Sequence, residues 1–215
     1  MCGRFVAATD PDGLVQFFVV DERQDEDLPP RWNVAPTDPV AAVVEHQGKR
    51  HLATFRWGLI PHYAKDASVA ARHINARAES VASKPAFTNA LARRRCIIPA
   101  DAFYEWHDKV PHAITRTDGA PLAFAGLWSR WQDRTTCAIV TTAATGPVAA
   151  LHDRVPVVLE PRDFAAWLDR DNQDPAAALV MLQPPGDDVL RFHRVGLAVG
   201  NVRNDGPQLL LPVEE

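Results

Sequence analysis

Cys2 can place two nucleophiles on adjacent carbons, a thiol and, once Met1 is trimmed, an α-amine. An initiator methionine is commonly removed ahead of a small residue, so the mature chain is expected to begin at Cys2. Reference pKa values are roughly 7.7–8.0 for an α-amine and roughly 8.5 for a thiol, so both groups are partly nucleophilic near neutral pH. The amine can condense with an aldehyde to an imine, and the thiol can then close onto the same carbon. The five-membered thiazolidine that results is favoured because its second bond forms intramolecularly. The same residue could instead act as an N-terminal nucleophile on an amide, with the amine as its base. As an ordinary cysteine it would be a small buried thiol.

Three other segments carry groups suited to such chemistry. Glu105 lies in Phe103-Tyr104-Glu105-Trp106, where an aromatic wall would raise its pKa and fit it to shuttle protons. A solvent-facing strand carboxylate is the plainer reading. His152 opens His152-Asp153-Arg154-Val155-Pro156, and imidazole is the side chain that exchanges protons near pH 7. In a purely structural loop, Asp153 would pair with Arg154. In Ile74-Asn75-Ala76-Arg77-Ala78-Glu79, an extended strand would put Asn75, Arg77 and Glu79 on one face. Asn75 could then orient a reacting group and Arg77 could clamp a phosphate, unless Arg77 pairs with Glu79. Trp57 is either core or a platform for base stacking.

These groups need elements to hold them. Val40–Glu45 and Arg50–Trp57 read as a hairpin around His46-Gln47-Gly48-Lys49, and Ala113–Thr117 and Leu122–Trp128 as a second around Asp118-Gly119. Cys96–Pro99, Phe103–Trp106 and Cys137–Thr142 read as further short strands. Helices are expected at Leu14–Val20 behind Asp10 or Asp12, at Pro85–Arg94, at Pro161–Leu168 and at Asp174–Leu182. Many short strands with few helices predict one α+β domain over residues 1–215, with a curved, barrel-like mixed sheet and peripheral helices. Strand and helix do not alternate regularly, which argues against a doubly wound sheet.

Composition sets the outer limits. The 215 residues are 47% hydrophobic and 23% charged, so general disorder is excluded. No apolar run approaches a membrane span, and the N-terminus is unlike a secretory signal. The three cysteines are far apart and unpaired in spacing, which predicts a reduced, cytoplasmic protein without disulfides or zinc. There is no Gly-rich phosphate loop and no His-Glu-x-x-His helix, and His51 and His73 stand alone. No cofactor and no metal are expected.

Seven blocks in order resemble the SRAP family, the SOS response-associated peptidase-like proteins. They are Met1–Phe5, Asn33–Thr37, Arg56–Pro61, Ile74–Glu79, Arg94–Ala100, Phe103–Trp106 and His152–Pro156. The likeness runs from Cys2 to about Pro207. It implies a compact α+β domain that senses abasic sites in single-stranded DNA. Cys2 would form a thiazolidine crosslink with the ring-opened sugar, and Asn75 would position the reactants. Glu105 would assist ring opening, imine formation and reversal, and His152 would act as acid and base beside the sugar. Arg4, Arg77 and Arg154 would hold phosphates, Asn33 would line the pocket, and Trp57 and Tyr63 join them as DNA contacts. The family name preserves an inferred autopeptidase activity. Two positions depart from the family pattern: Tyr63 stands where tryptophan is frequent, and Val155 where methionine is. A monomer is expected, nucleoid-associated when bound to DNA.

Two other classes compete. A class II glutamine amidotransferase also begins Met-Cys-Gly, but this chain has no Asn-Gly element for an oxyanion. A non-catalytic single-strand binder would show salt-sensitive affinity without a covalent product. The formal charge of −4 by itself disfavours DNA. It is unevenly spread, however: Lys49 to Arg95 holds ten basic residues against two acidic ones, while Asp10–Asp27 and Leu159–Asp188 are acidic. The expectation is a positive groove that gathers Arg72, Arg77 and Arg93 to Arg95, with the acids on the outer surface.

Overall fold

A computed structural model of the chain describes residues 2–25 and 28–213. The expected loss of Met1 lies outside the described residues, as do Glu26 and Asp27 of the acidic stretch. Thirteen strands are described in chain order: β1 (Phe5–Ala7), β2 (Glu22–Arg23), β3 (Arg31–Val34), β4 (Pro39–His46), β5 (Lys49–Trp57), β6 (Asn75–Arg77), β7 (Arg95–Ala100), β8 (Ala102–His107), β9 (Val110–Arg116), β10 (Leu122–Trp131), β11 (Arg134–Ala143), β12 (Arg154–Pro156) and β13 (Leu190–Arg194). The helices are α1 (Pro11–Phe18), α2 (Pro85–Arg93), α3 (Phe164–Leu168) and α4 (Pro175–Val180).

The strands form two sheets. One has the order β13-β9-β8-β1-β3. In the other, β5, β4, β7, β10 and β11 pair in turn, and β11 returns to β5 in parallel through Thr136↔Arg56 and Cys137↔Trp57. Hydrogen bonds thus close a ring, which realises the expected curved mixed sheet of an α+β fold.

Alternation along these strands feeds two cores. Cys96, Ile98, Phe124, Cys137 and Ile139 join Phe5, Trp57 and Phe103 in one cluster. Their neighbours Ile97, Ala125, Ala138 and Val140 join Phe18, Leu91, Phe164 and Trp167 from the helices in the other. Period-two side-chain direction is the cause. A third, smaller cluster covers the opposite face of the five-stranded sheet with Val6, Tyr104, Val199 and Leu209.

The first expected hairpin forms as β4–β5. Gln47 and Gly48 take φ of 53° and 73°, as a two-residue turn of matching twist requires. The second does not form. β9 pairs with β8 and β13, and β10 with β7 and β11, so Asp118-Gly119 carries the chain between sheets. β9 is claimed instead by β8 through the tight turn Asp108-Lys109, both at positive φ.

The helices lie close to their expected places. Asp10 caps α1 by accepting from Gly13 N at 2.9 Å, and the helix stops at Val19 in a left-handed conformation, φ 51°. Asp174 caps α4 by accepting from Ala176 N. The stretch expected as one helix from Pro161 opens as a 3-10 turn over Pro161–Asp163 before α3 begins.

Candidate active site

β1 enters the five-stranded sheet between β8 and the edge strand β3, with Phe5 level with both Phe103 and Val34. This pairing anchors the N-terminal segment, and Cys2 sits fully buried in the core cluster with Phe5 and Trp57. Burial, and then the charge of Glu105, push the Cys2 thiol well above the usual thiol range. The side chain is therefore a neutral thiol at neutral pH.

Asn75 reaches Cys2 from the other sheet. Gly58 makes this possible: at φ 117° it ends β5, and a Cβ there would meet Ala70 O at 3.0 Å. β6 then takes over the parallel edge of β11 that β5 vacates, with Asn75 level with Ile139 and Arg77 with Thr141. Ala76 points into the core while Asn75 is half-buried and Arg77 exposed. Asn75 Nδ2 donates to the Cys2 carbonyl at 2.8 Å. Asn75 Oδ1 is buried and has no partner among the described residues.

Glu105 projects from β8, two residues from Phe103, and is 3% exposed. Burial raises its pKa, and the charge of His152 opposes that shift. His152 follows the 3-10 turn at Gly146–Ala150. Its Nδ1 lies 2.9 Å from Arg154 N and 2.7 Å from Asp153 Oδ1. The ring is thus held between the Arg154 amide and the Asp153 carboxylate. Cys2, Asn75, Glu105 and His152 thus come from four separate segments to one place.

The expected DNA contacts divide. Arg77 is exposed on β6, and Tyr63 is 56% exposed with its ring edge-to-face on His62. Arg154 lies on the other edge of β11, level with Ala143, and Glu79 accepts from both its Nη atoms at 2.6 and 2.9 Å. Asp153 is thus not its partner, and Glu79 is not on a strand with Asn75 and Arg77 but in the turn beyond β6.

Trp57 requires a correction. It is fully buried and donates Nε1–H to Ile74 O at 2.9 Å, so it cannot stack on a base. Asn33 requires another. It is fully buried, accepts from Arg4 at 2.8 Å and donates to the carbonyls of Val199, Asn201 and Asn204. Its amide fastens the C-terminal turns to β3 and is closed off from solvent. Arg4 shares that clamp through Val199 O at 2.9 Å.

The expected single groove is also corrected. Arg95 is 4% exposed and spends its guanidinium on the carbonyls of Leu91, Ala92, Trp167, Asp169 and Asn172. Arg94 stacks on Trp128, and Arg93 lines a cleft with Glu45, Arg170 and Asp171. A run of three arginines on the chain is split among three environments.

Thr141 was not singled out by its sequence, yet its carbonyl accepts from Arg154 Nη2 at 2.7 Å. Only its place on β11 between β6 and β12 reveals this. Among the described residues no three His, Cys, Asp or Glu side chains gather as a metal site would need. A separate apolar cavity lined by Ala7, Leu14, Val34, Ala41 and Leu52 contains none of the four converging side chains. No helix among the described residues is long and apolar enough to cross a membrane.

A family described as "SOS response associated peptidase (SRAP)" matches residues 1–202. The chain is 36% identical to the abasic site processing protein YoqW of Bacillus subtilis, over 98% of this chain and 99% of that one. It is 31% identical to the abasic site processing protein YedK of Escherichia coli, over 99% and 100%. Among solved structures, a Bacteroides thetaiotaomicron protein superposes with a TM-score of 0.88 at 19% identity, covering 99% of this chain and 100% of that one. At that identity the likeness concerns the fold.

Proposed function

We propose, from the premise that this chain belongs to the SRAP family, that it is an abasic-site sensor which captures the lesion in single-stranded DNA as a covalent thiazolidine. Relatives named as abasic site processing proteins supply the substrate class. The observation that carries the reading is the hydrogen bond from Asn75 to the carbonyl of the buried Cys2, with Glu105 buried in the neighbouring strand.

The order of steps follows from the charges. Burial keeps the Cys2 thiol protonated, so the freed α-amine is the better first nucleophile. It adds to the C1′ aldehyde of the open deoxyribose, and the carbinolamine loses water to give an imine. Glu105, its pKa raised by burial, supplies the proton to the departing hydroxyl. The thiol then adds to the imine carbon and its proton passes to nitrogen, with Glu105 carrying it. The net change is aldehyde plus cysteine giving thiazolidine plus water. His152 serves the proton transfers of ring opening.

Arg77 holds a flanking phosphate, and Tyr63 offers a ring to a neighbouring base. The imine is also the species from which β-elimination would cut the strand, and an autopeptidase step would expose Cys2 if residues precede it.

The test mixes purified protein with a single-stranded oligonucleotide carrying one abasic site and resolves the products under denaturing conditions. A shifted species that disappears in Cys2→Ala is expected. Retention of Met1 in the intact mass, or a stable crosslink that survives Cys2→Ala, would overturn the reading.

A further inference from the structure

Arg154 is built like an anion site whose anion is already present. Its side chain is 12% exposed, and Thr141 O holds Nη2 at 2.7 Å, with Thr141 Oγ1 at 3.4 Å. The guanidinium is therefore fixed from the β11 side. On the opposite side, both Nη atoms donate to the two oxygens of Glu79, a bidentate arrangement that a phosphate can reproduce. Glu79 differs from Arg154 in mobility of access: its side chain is 52% exposed, and it stands in the turn after β6. The pair holds the Glu79 carboxyl below its usual range, so it stays anionic through neutral pH.

A second observation points the same way. Arg154 Nε is buried and has no partner among the described residues. Glu79 thus leaves a donor of the guanidinium unused. Arg77 lies two residues before Glu79 and is exposed, so displacing the carboxylate would leave one arginine on each edge of β11 to meet a strand of DNA.

From this we infer that Glu79 is a built-in competitor for the DNA backbone: a strand phosphate takes its place on Arg154, and the carboxylate swings into solvent. The inference rests on the proposed DNA-binding function and adds a specificity determinant to it. Exchanging one anion for another gives little net affinity. An intact strand, which has no aldehyde for Cys2, is thereby held weakly. A strand that also delivers an aldehyde to Cys2 is captured by its covalent bond.

The experiment compares wild type and Glu79→Gln for binding an undamaged thymidine oligonucleotide, read by fluorescence anisotropy. Glu79→Gln should bind about fivefold more tightly, the scale of a half-exposed ion pair that no longer has to be broken. The gain should vanish in an Arg154→Gln background. Unchanged or weaker binding by a normally melting Glu79→Gln would overturn the inference and make Glu79 a support for Arg154. A gain that persists without Arg154 would also overturn it, as a mere effect of net charge. Should Glu79→Gln melt early, Glu79→Asp, too short to span both Nη atoms, is expected to shift affinity in the same direction. Wild-type crosslinking to an abasic strand is scored separately, so failure of the proposed function would be seen apart from failure of this inference.

Discussion

Asn75 holds Cys2 by its backbone rather than by its thiol: Nδ2 donates to the Cys2 carbonyl at 2.8 Å across the gap between the two sheets. That contact uses neither the thiol nor the nitrogen of Cys2 and holds the carbonyl beside the carbon that bears them. The buried, unpartnered Oδ1 of Asn75 is an acceptor at the same place.

Asn75→Ala should therefore slow crosslinking without abolishing it. The loss of one buried hydrogen bond, at about 1–1.5 kcal/mol, corresponds to about tenfold in rate when it positions the reactant. Affinity for an intact strand should stay as it was. Single-turnover kinetics on an abasic oligonucleotide, beside an anisotropy titration, separate the two. An equal fall in both would make Asn75 a binding residue only.

Glu105 predicts a pH dependence of stability. Burial raises its pKa in the folded chain above the unfolded value of about 4.3. The folded state then holds the proton more tightly than the unfolded one. This contribution is present below the unfolded pKa and is lost as pH rises through the folded value. Glu105→Gln removes the titration. The Tm of the variant minus that of wild type should grow from acid toward neutral pH, while crosslinking falls at all pH. A constant Tm difference across that range would show that Glu105 titrates as an exposed carboxylate does.

Legibility in the sequence followed how local each signal was. The β4–β5 hairpin could be read because Gln47-Gly48 and the flanking alternation lie within one short window. The β8–β9 turn at Asp108-Lys109 carries no glycine, so nothing local marks β9 as the neighbour of β8 rather than of β10. Site residues behaved likewise. Cys2, Glu105 and His152 were visible as chemistry, but their meeting depends on β1 running between β8 and β3, which no local pattern encodes. Trp57, Asn33 and Arg95 depart from the DNA-facing alternative for one reason. Residue type says what a side chain can bind, and only the packed structure says that a carbonyl has already taken it.

Arg95 offers a direct check of that point. Its guanidinium ties the end of α2 to α3 and the stretch after it through five carbonyls. Arg95→Met should cost about 3–5 kcal/mol of stability, since five acceptors lose a buried charged donor. Denaturant unfolding measures this. Where the variant remains folded, its affinity for DNA should match wild type. A stable variant with weakened DNA binding would restore Arg95 to the nucleic-acid surface.

Two aromatic residues should separate in the same way, with opposite outcomes. Trp57 is fully buried against Phe5, ring centroids 5.1 Å apart, and Tyr63 is 56% exposed. Trp57→Ala opens a core cavity and should destabilise the fold by about 3–5 kcal/mol. Tyr63→Ala touches no core cluster and should leave the Tm within a degree or so, because exposed positions contribute about 0.5 kcal/mol or less. Its cost should appear in DNA: about 1–3 kcal/mol of binding to a single strand, the worth of one base stacked on an aromatic ring. Tyr63→Trp, with its larger ring, should retain or tighten that binding. Anisotropy with an unmodified oligonucleotide and thermal melts on all three variants decide the matter. If Tyr63→Ala binds as wild type does, the stacking ring lies elsewhere on the surface.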